Sequence, residues 1–534
     1  MSSVMAQGKR IGHVIPCHLS YFCVAALMSN GSEACGYLNP TFPPPLLLSP
    51  IFLFHRHLTM SSLGLKGIWL PLLLVFLVMC SNFHDCEGRR GKHRRAKQPP
   101  SSSLARKKAK GNNGGDRRHG SGGGSGGQSR PTPETMVAMF DVLDFGAKGD
   151  GVTDDTKAFE AAWAAACKVE ASTVIVPAEF EFLVRPISFS GPYCEPNIVF
   201  QLDGTIVAPT SAGAWGAGSL QWLEFTKLQE ITIRGSGVID GRGSVWWTNS
   251  DSDIDPINGE LGSKMPQIKP TALRFYGSYN VTVTGIMIQN SPRCHLKFDN
   301  CEAVEVFNIT VSSPGDSPNT DGIHLQNSRN VLIHRVDMGC GDDCVSIQTG
   351  CSNIYIHDVD CGPGHGISIG GLGRDNTKAC VSNITVRDIN LRNTMTGVRI
   401  KTWQGGSGSV QAIQFSNIKV WEVQIPMVID QFYCDRSSCE NQSSAVALSS
   451  IAYESIRGTF TVKPVHLACS DSSPCSGISL SEVELEPLQE RYHRTDPFCW
   501  QAFGELYAPT IPPITCLQIG KPASNRISTD HDLC

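Results

Sequence analysis

The sequence predicts an all-β chain wound into a single-stranded, right-handed parallel β-helix, with a short helix capping its N-terminal end. Three observations predict it. An apolar-x-apolar-x-x-apolar-x-apolar pattern recurs at Val281/Val283/Ile286/Ile288, Val304/Val306/Ile309/Val311, Val331/Ile333/Val336/Met338 and Ile354/Ile356/Val359/Cys361, and continues to Ile478/Leu480/Val483/Leu485. Consecutive starts in the central run lie 23, 27, 23, 30 and 29 residues apart. Alternation over such short stretches means strands, and a repeat of about 20 to 30 residues without helical patterning means stacked coils. Second, each central coil carries another strand, at Ile323/Leu325, Val345/Ile347, Ile367/Ile369 and Val398/Ile400. Third, Asp154 to Lys168 has the acidic start and apolar spacing of a helix that would cover the open end of a solenoid.

The repeat occupies only part of the chain. Residues 1–59 read as an upstream extension, with Met60 as the working start. The apolar run Gly67 to Cys80 then falls within a signal peptide or signal anchor over 60–86. Residues 87–135 form a basic linker rich in Gly and Ser, unable to bury a core. The remaining 136–534 is expected to be one β-helix domain. It is acidic, since residues 131–534 hold 28 Lys and Arg against 45 Asp and Glu. That balance argues against nucleic acid as a ligand. Sixteen of the 21 cysteines lie from Cys167 onward, which favours disulfides and secretion. Cys344 with Cys361, Cys434 with Cys439, and Cys469 with Cys475 are spaced as local staples. Paired CxxC spacing of the zinc type is missing.

Stacked strands lie about 4.8 Å apart, so residues in one column are neighbours however distant in sequence. Outward positions of the second strands stack His324, Ser346, Ser368 and Arg399 in one column, and Gln326, Gln348, Gly370 and Lys401 in the next. Just before these strands, Asp321, Asp343 and His365 align, with Asp342 beside them. Strict alternation would turn Asp343 inward, so the backbone must bend where Gly322, Gly341, Gly364 and Gly366 stand. Three carboxylates this close repel one another, and at least one should hold its proton tightly. Acid/base hydrolysis of a glycosidic bond needs such a set. A polar turn ladder or a calcium site would use the same residue types.

Asn319-Thr320-Asp321, Gly341-Asp342-Asp343, Gly364-His365-Gly366 and Arg399-Ile400-Lys401 together resemble the four signatures of the polygalacturonases, glycoside hydrolase family 28, in the same order. Phe140 to Gly151 and Asp203 to Pro209 are also similar to the plant-type enzymes, so the resemblance covers most of 139–534. It implies inverting hydrolysis of α-1,4-galacturonan, by endo or exo attack, in a secreted, monomeric cell-wall enzyme without metal or cofactor. It further implies that Asp342 is the general acid, that Asp321 and Asp343 hold and deprotonate water, and that His365 tunes the cluster. Arg399 and Lys401 would project outward and grip a galacturonate carboxylate, with Asn319 and Gln348 as further substrate contacts. Rival readings are a pectate lyase, a rhamnogalacturonan hydrolase and an inactive pectin-binding β-helix. Sequons stand at Asn280, Asn308, Asn383 and Asn441.

Overall fold

A computed structural model of the chain describes residues 138–523, apart from 217, 248–264, 440 and 489–495. The expected extension, signal segment and most of the linker lie outside the described residues. Within them the chain forms a parallel β-helix whose strands gather into one sheet of 20 strands and another of 11. The repeat stacks like on like: Val281, Val304, Val331, Ile354, Ile384 and Ile413 occupy one register column, continued by Ile451 and Ile478.

The two residues between the apolar pairs turn a corner, which is why the alternation slips by one there. The second of them takes a left-handed backbone in coil after coil: Asn308, Arg335, Asp358, Asp388, Asn417, Ser455 and Glu482 all have φ between 49° and 56°. Asn and Asp tolerate this conformation best, and stacking holds the other side chains in it. Inside the coils, Phe189, Phe225, Phe275 and Phe298 stack with ring centroids 4.6, 5.3 and 5.2 Å apart. Such a ladder joins four turns into one core.

The coils begin earlier than the repeat suggests. Met139–Asp141 pairs with Thr173–Val176, which pairs with Val199–Leu202 and then with Gln229–Arg234. Longer and more varied connections hide this stretch from a search for a fixed period. A coil through Ile451, Tyr453 and Ile456 also breaks the pattern, because Gly458 fills its fourth apolar position. A Cβ there would stand 1.9 Å from the carbonyl oxygen of Val420.

The expected cap is helix α1 (Thr156–Ala166), which buries Phe159, Ala162, Trp163 and Ala166. Asp155 precedes it without capping it. Its carboxylate instead accepts from the backbone N–H groups of Lys148 and Gly149, at 2.6 and 3.1 Å, tying the incoming loop to the helix start. No helix among the described residues is long and apolar enough to cross a membrane.

All three expected staples are present, together with Cys167–Cys194 and Cys499–Cys516. Cys294, Cys301, Cys340 and Cys351 nevertheless remain buried free thiols, so an even count did not mean complete pairing. Among the sequons, Asn383 is tied into a side-chain ladder. Its amide donates to Asn353 at 2.8 Å, and Asn353 donates to Asn330 at 3.0 Å.

Candidate active site

Five consecutive strands of the smaller sheet carry the site: β1 (Leu296–Asp299), β2 (Ile323–Gln326), β3 (Val345–Ile347), β4 (Ile367–Leu372) and β5 (Thr396–Trp403). They run in parallel register, with Leu296, Ile323, Val345, Ile367 and Val398 in one column. The turns entering β2, β3 and β4 therefore stack, bringing Asp321, Asp343 and His365 together as the sequence predicts. Glycine is required where these turns touch. A Cβ on Gly322 would lie 2.5 Å from the Cys344 carbonyl oxygen, and one on Gly366 (φ 80°) 2.1 Å from that of Thr396. The Cys344–Cys361 disulfide anchors the turn one residue after Asp343.

Asn319, Asp321, Asp342, Asp343, Gln348 and Lys401 line one cleft, whereas His365 and Arg399 do not reach its walls. Asp342 is held from two sides: one carboxylate oxygen lies 2.9 Å from Nδ1 of His365, and the other accepts from the Asn319 amide at 3.2 Å. Burial pushes its carboxyl up, but the hydrogen bond and charge of His365, with Lys401 and Asn319, outweigh burial. They hold Asp342 below the usual carboxylate range. Asp321 moves the opposite way. Burial raises it, the His324 contact at 3.4 Å only partly opposes this, and repulsion from Asp342 and Asp343 adds to the rise. The tightly held proton expected of the cluster thus belongs to Asp321.

Two expectations need correction. Arg399 and Lys401 do not stand free at the rim of the cleft; both are buried against Asp343, itself 1% exposed. Arg399 Nη2 lies 2.6 Å from one Asp343 oxygen and Lys401 Nζ 2.9 Å from the other. Ser368 Oγ also donates to Asp343, at 2.7 Å, and accepts from Arg399 Nε at 3.0 Å. Long side chains from a strand two coils further on reach back to a carboxylate that would otherwise be buried alone, an arrangement costly to break. Consequently Asp343, with both oxygens engaged, is poorly placed to hold an attacking water. Of the two cations only Lys401 meets the cleft, its ammonium 5.3 Å from the Tyr433 ring centroid.

Gln348 lines the cleft but spends its amide N–H groups on Ser346 Oγ and the Gly370 carbonyl, at 2.9 and 2.7 Å. Ligand atoms of Asp342, Asp343 and His365 lie within 4.8 Å of one another. A cation there would face Arg399 and Lys401 across Asp343, so these residues fit a metal poorly.

Sequence reasoning missed His295, which is fully buried and bridges the Asp321 carbonyl oxygen (2.8 Å) and Ser313 Oγ (2.7 Å). Burial lowers it to about 4, so it props the Asp321 turn as a neutral ring. Its place beside Leu296, one coil before Gly322, is the only sequence signal for it.

Residues 167–495 match the profile of Glycosyl hydrolases family 28. The chain is 41% identical over 392 residues to a probable polygalacturonase of Arabidopsis thaliana, covering 72% of this chain and 86% of that one. It is 44% identical over 353 residues to a polygalacturonase of Cryptomeria japonica, covering 66% and 67%. Its fold is similar to that of an endo-xylogalacturonan hydrolase from Aspergillus tubingensis (TM-score 0.58, 22% identity, 72% and 100% covered). A polygalacturonase from Erwinia carotovora is comparable (TM-score 0.54, 24% identity, 69% and 99% covered). With the four signatures gathered on adjacent coils and the profile spanning most of the β-helix, the chain belongs to glycosyl hydrolase family 28.

Proposed function

We propose that the protein hydrolyses α-1,4 bonds between galacturonate residues of pectin, with inversion, as a secreted cell-wall enzyme. The observation that carries this reading is the pair of carboxyls whose pKa values are pushed apart, Asp321 upward and Asp342 downward, in one cleft that also holds the Lys401 ammonium. Divergent carboxyls supply an acid and a base for glycoside hydrolysis, and a cation in the same cleft suits a uronate over a neutral sugar. Polygalacturonase relatives support the substrate, and the disulfides among the described residues support an oxidising compartment.

In the proposed mechanism Asp342, oriented by His365 across their 2.9 Å contact, delivers a proton to the leaving oxygen. Asp321, a stronger base than an ordinary carboxylate once ionised, removes the proton from water at the anomeric carbon. Asp343 holds Arg399 and Lys401 in place and leaves Lys401 to meet the substrate carboxylate. The opposite assignment is favoured by the acidities alone, since a carboxyl that keeps its proton is the natural acid. One experiment separates the two. With an aryl galacturonide whose leaving group needs no protonation, the variant lacking the acid recovers turnover. Azide rescues the variant lacking the base. Asp342→Asn should respond to the aryl substrate and Asp321→Asn to azide. For the activity itself, polygalacturonan should yield new reducing ends of inverted configuration without ultraviolet-absorbing unsaturated products. Unsaturated products would mean a lyase, and no products would reject the assignment.

A further inference from the structure

We infer that the protein carries a second, non-catalytic site for acidic polysaccharide on its larger sheet, built on Trp421 with Arg392 and Lys419. Arg392 ends the strand Lys378–Arg392, and Trp421 lies on the next coil in Ser407–Val423, in register with it. Lys419 is two residues before Trp421 on the same side of that strand. Trp421 is 59% exposed, which is unusual for so large an apolar ring, and Arg392 and Lys419 are exposed beside it. Neither cation is matched to a carboxylate among the described residues. Arg457, which follows Lys419 in register, is by contrast engaged with Glu482 and Glu484 at 2.8 and 3.5 Å.

The backbone also sets Trp421 apart. Pairing with the following coil is regular to Val420 and resumes at Val423, so the tryptophan sits in a break of the ladder. Such irregularities re-aim a side chain. Gly458 and Thr459 occupy the facing stretch of the next coil, leaving small groups beside the indole.

These three residues border a depression that shares no lining residue with the catalytic cleft. An indole face offers its negative π-cloud to the axial C–H groups of a pyranose ring, while a guanidinium and an ammonium within a coil spacing grip carboxylates. A basic patch on a domain whose residues 131–534 carry 28 cations against 45 anions selects a polyanion locally, though the body repels one. Away from the tryptophan the adjoining groove carries Asp337 and Asp360, which confines the attraction to these coils. A polyuronate chain, with a ring and a carboxylate in every unit, matches both elements at once. Nucleic acid, also a polyanion, lacks the pyranose faces.

Holding the polymer at this face raises the local concentration of bonds near the catalytic cleft. This inference rests on the proposed polyuronate substrate, and its test reads binding separately from catalysis. The full chain, in an Asp342→Asn background, is run through gels containing polygalacturonan, fully methyl-esterified pectin or no polymer. Trp421→Ala and the double variant Arg392→Ser/Lys419→Ser should each weaken retardation by polygalacturonan about fivefold or more, the range of a lost binding contact. In the active enzyme the same substitutions should leave kcat/KM on trigalacturonate unchanged. Trp421→Ala should leave the salt sensitivity of retardation in place, the double cation variant should reduce it, and retardation by esterified pectin should be weak throughout. Unchanged retardation in both variants overturns the site. So does a parallel fall in trigalacturonate turnover, or equal retardation by the esterified polymer. Absence of hydrolysis by the unmodified enzyme refutes the catalytic proposal alone, because retardation is measured without it.

Discussion

Replacing Asp343 by Asn removes the only carboxylate in hydrogen-bond or ion-pair contact with Arg399 and Lys401 among the described residues. The site is nearly dry: the side chains of Asp343, Arg399 and Lys401 are 2%, 10% and 8% exposed. Solvent screening is therefore small, and breaking a buried pair from one side costs about 3–5 kcal/mol. Arg399→Met takes away one cation and leaves Asp343 paired with Lys401 and Ser368, so the loss is nearer that of one charged hydrogen bond, about 1.5–3 kcal/mol. Asp343→Asn should thus destabilise more than Arg399→Met, although asparagine keeps the shape of the residue it replaces. Urea unfolding followed by tryptophan fluorescence, with the midpoint and slope fitted separately, measures both. The reasoning fails if Asp343→Asn costs less than about 1 kcal/mol, or less than Arg399→Met. An activity loss without any loss of stability would instead return Asp343 to the role of a water-holding base.

Other consequences follow from the same geometry. Asp321→Asn should cut turnover by about 10²–10⁴-fold, the range for a general acid or base. It should also raise neutral-pH stability: a carboxyl whose pKa is raised in the folded state stabilises at low pH and loses that contribution as pH rises through the shifted value. The gain over the unmodified protein should shrink on acidification, and urea midpoints at acidic and neutral pH check it. His295 has the opposite sign. Held at about 4 against an ordinary 6.5, it resists protonation in the folded protein, so stability should fall as pH drops through that interval. A His295→Asn variant should lose much of that pH dependence. Lys401→Met should raise KM about tenfold on de-esterified polygalacturonan and less on highly methyl-esterified pectin; equal changes on both would exclude carboxylate recognition.

The β-helix was legible because its information is local and repeated. Val304, Val331, Ile354 and Ile384 each announce the same inward position, and the parallel register then aligns Asp321, Asp343 and His365 without further knowledge. Where connections vary, as before Gln229, periodicity fades and no longer marks the individual coils. Resemblance of four short motifs added the chemistry that spacing alone left open between a hydrolase and a calcium site.

Sequence by itself determined which residues would be neighbours, because stacking at about 4.8 Å converts a column into contact. Only the tertiary structure decided what those neighbours do with one another. A column gives no direction to a long side chain, so Arg399 and Lys401 could point to solvent or turn back across two coils. Burial of Asp343 settled the matter, since an unpaired carboxylate at 1% exposure is far more costly than two tethered cations. The acidity of Asp321 and the neutrality of His295 arose likewise from how completely the coils exclude water. That quantity is a sum over many distant residues, and no short stretch of sequence contains it.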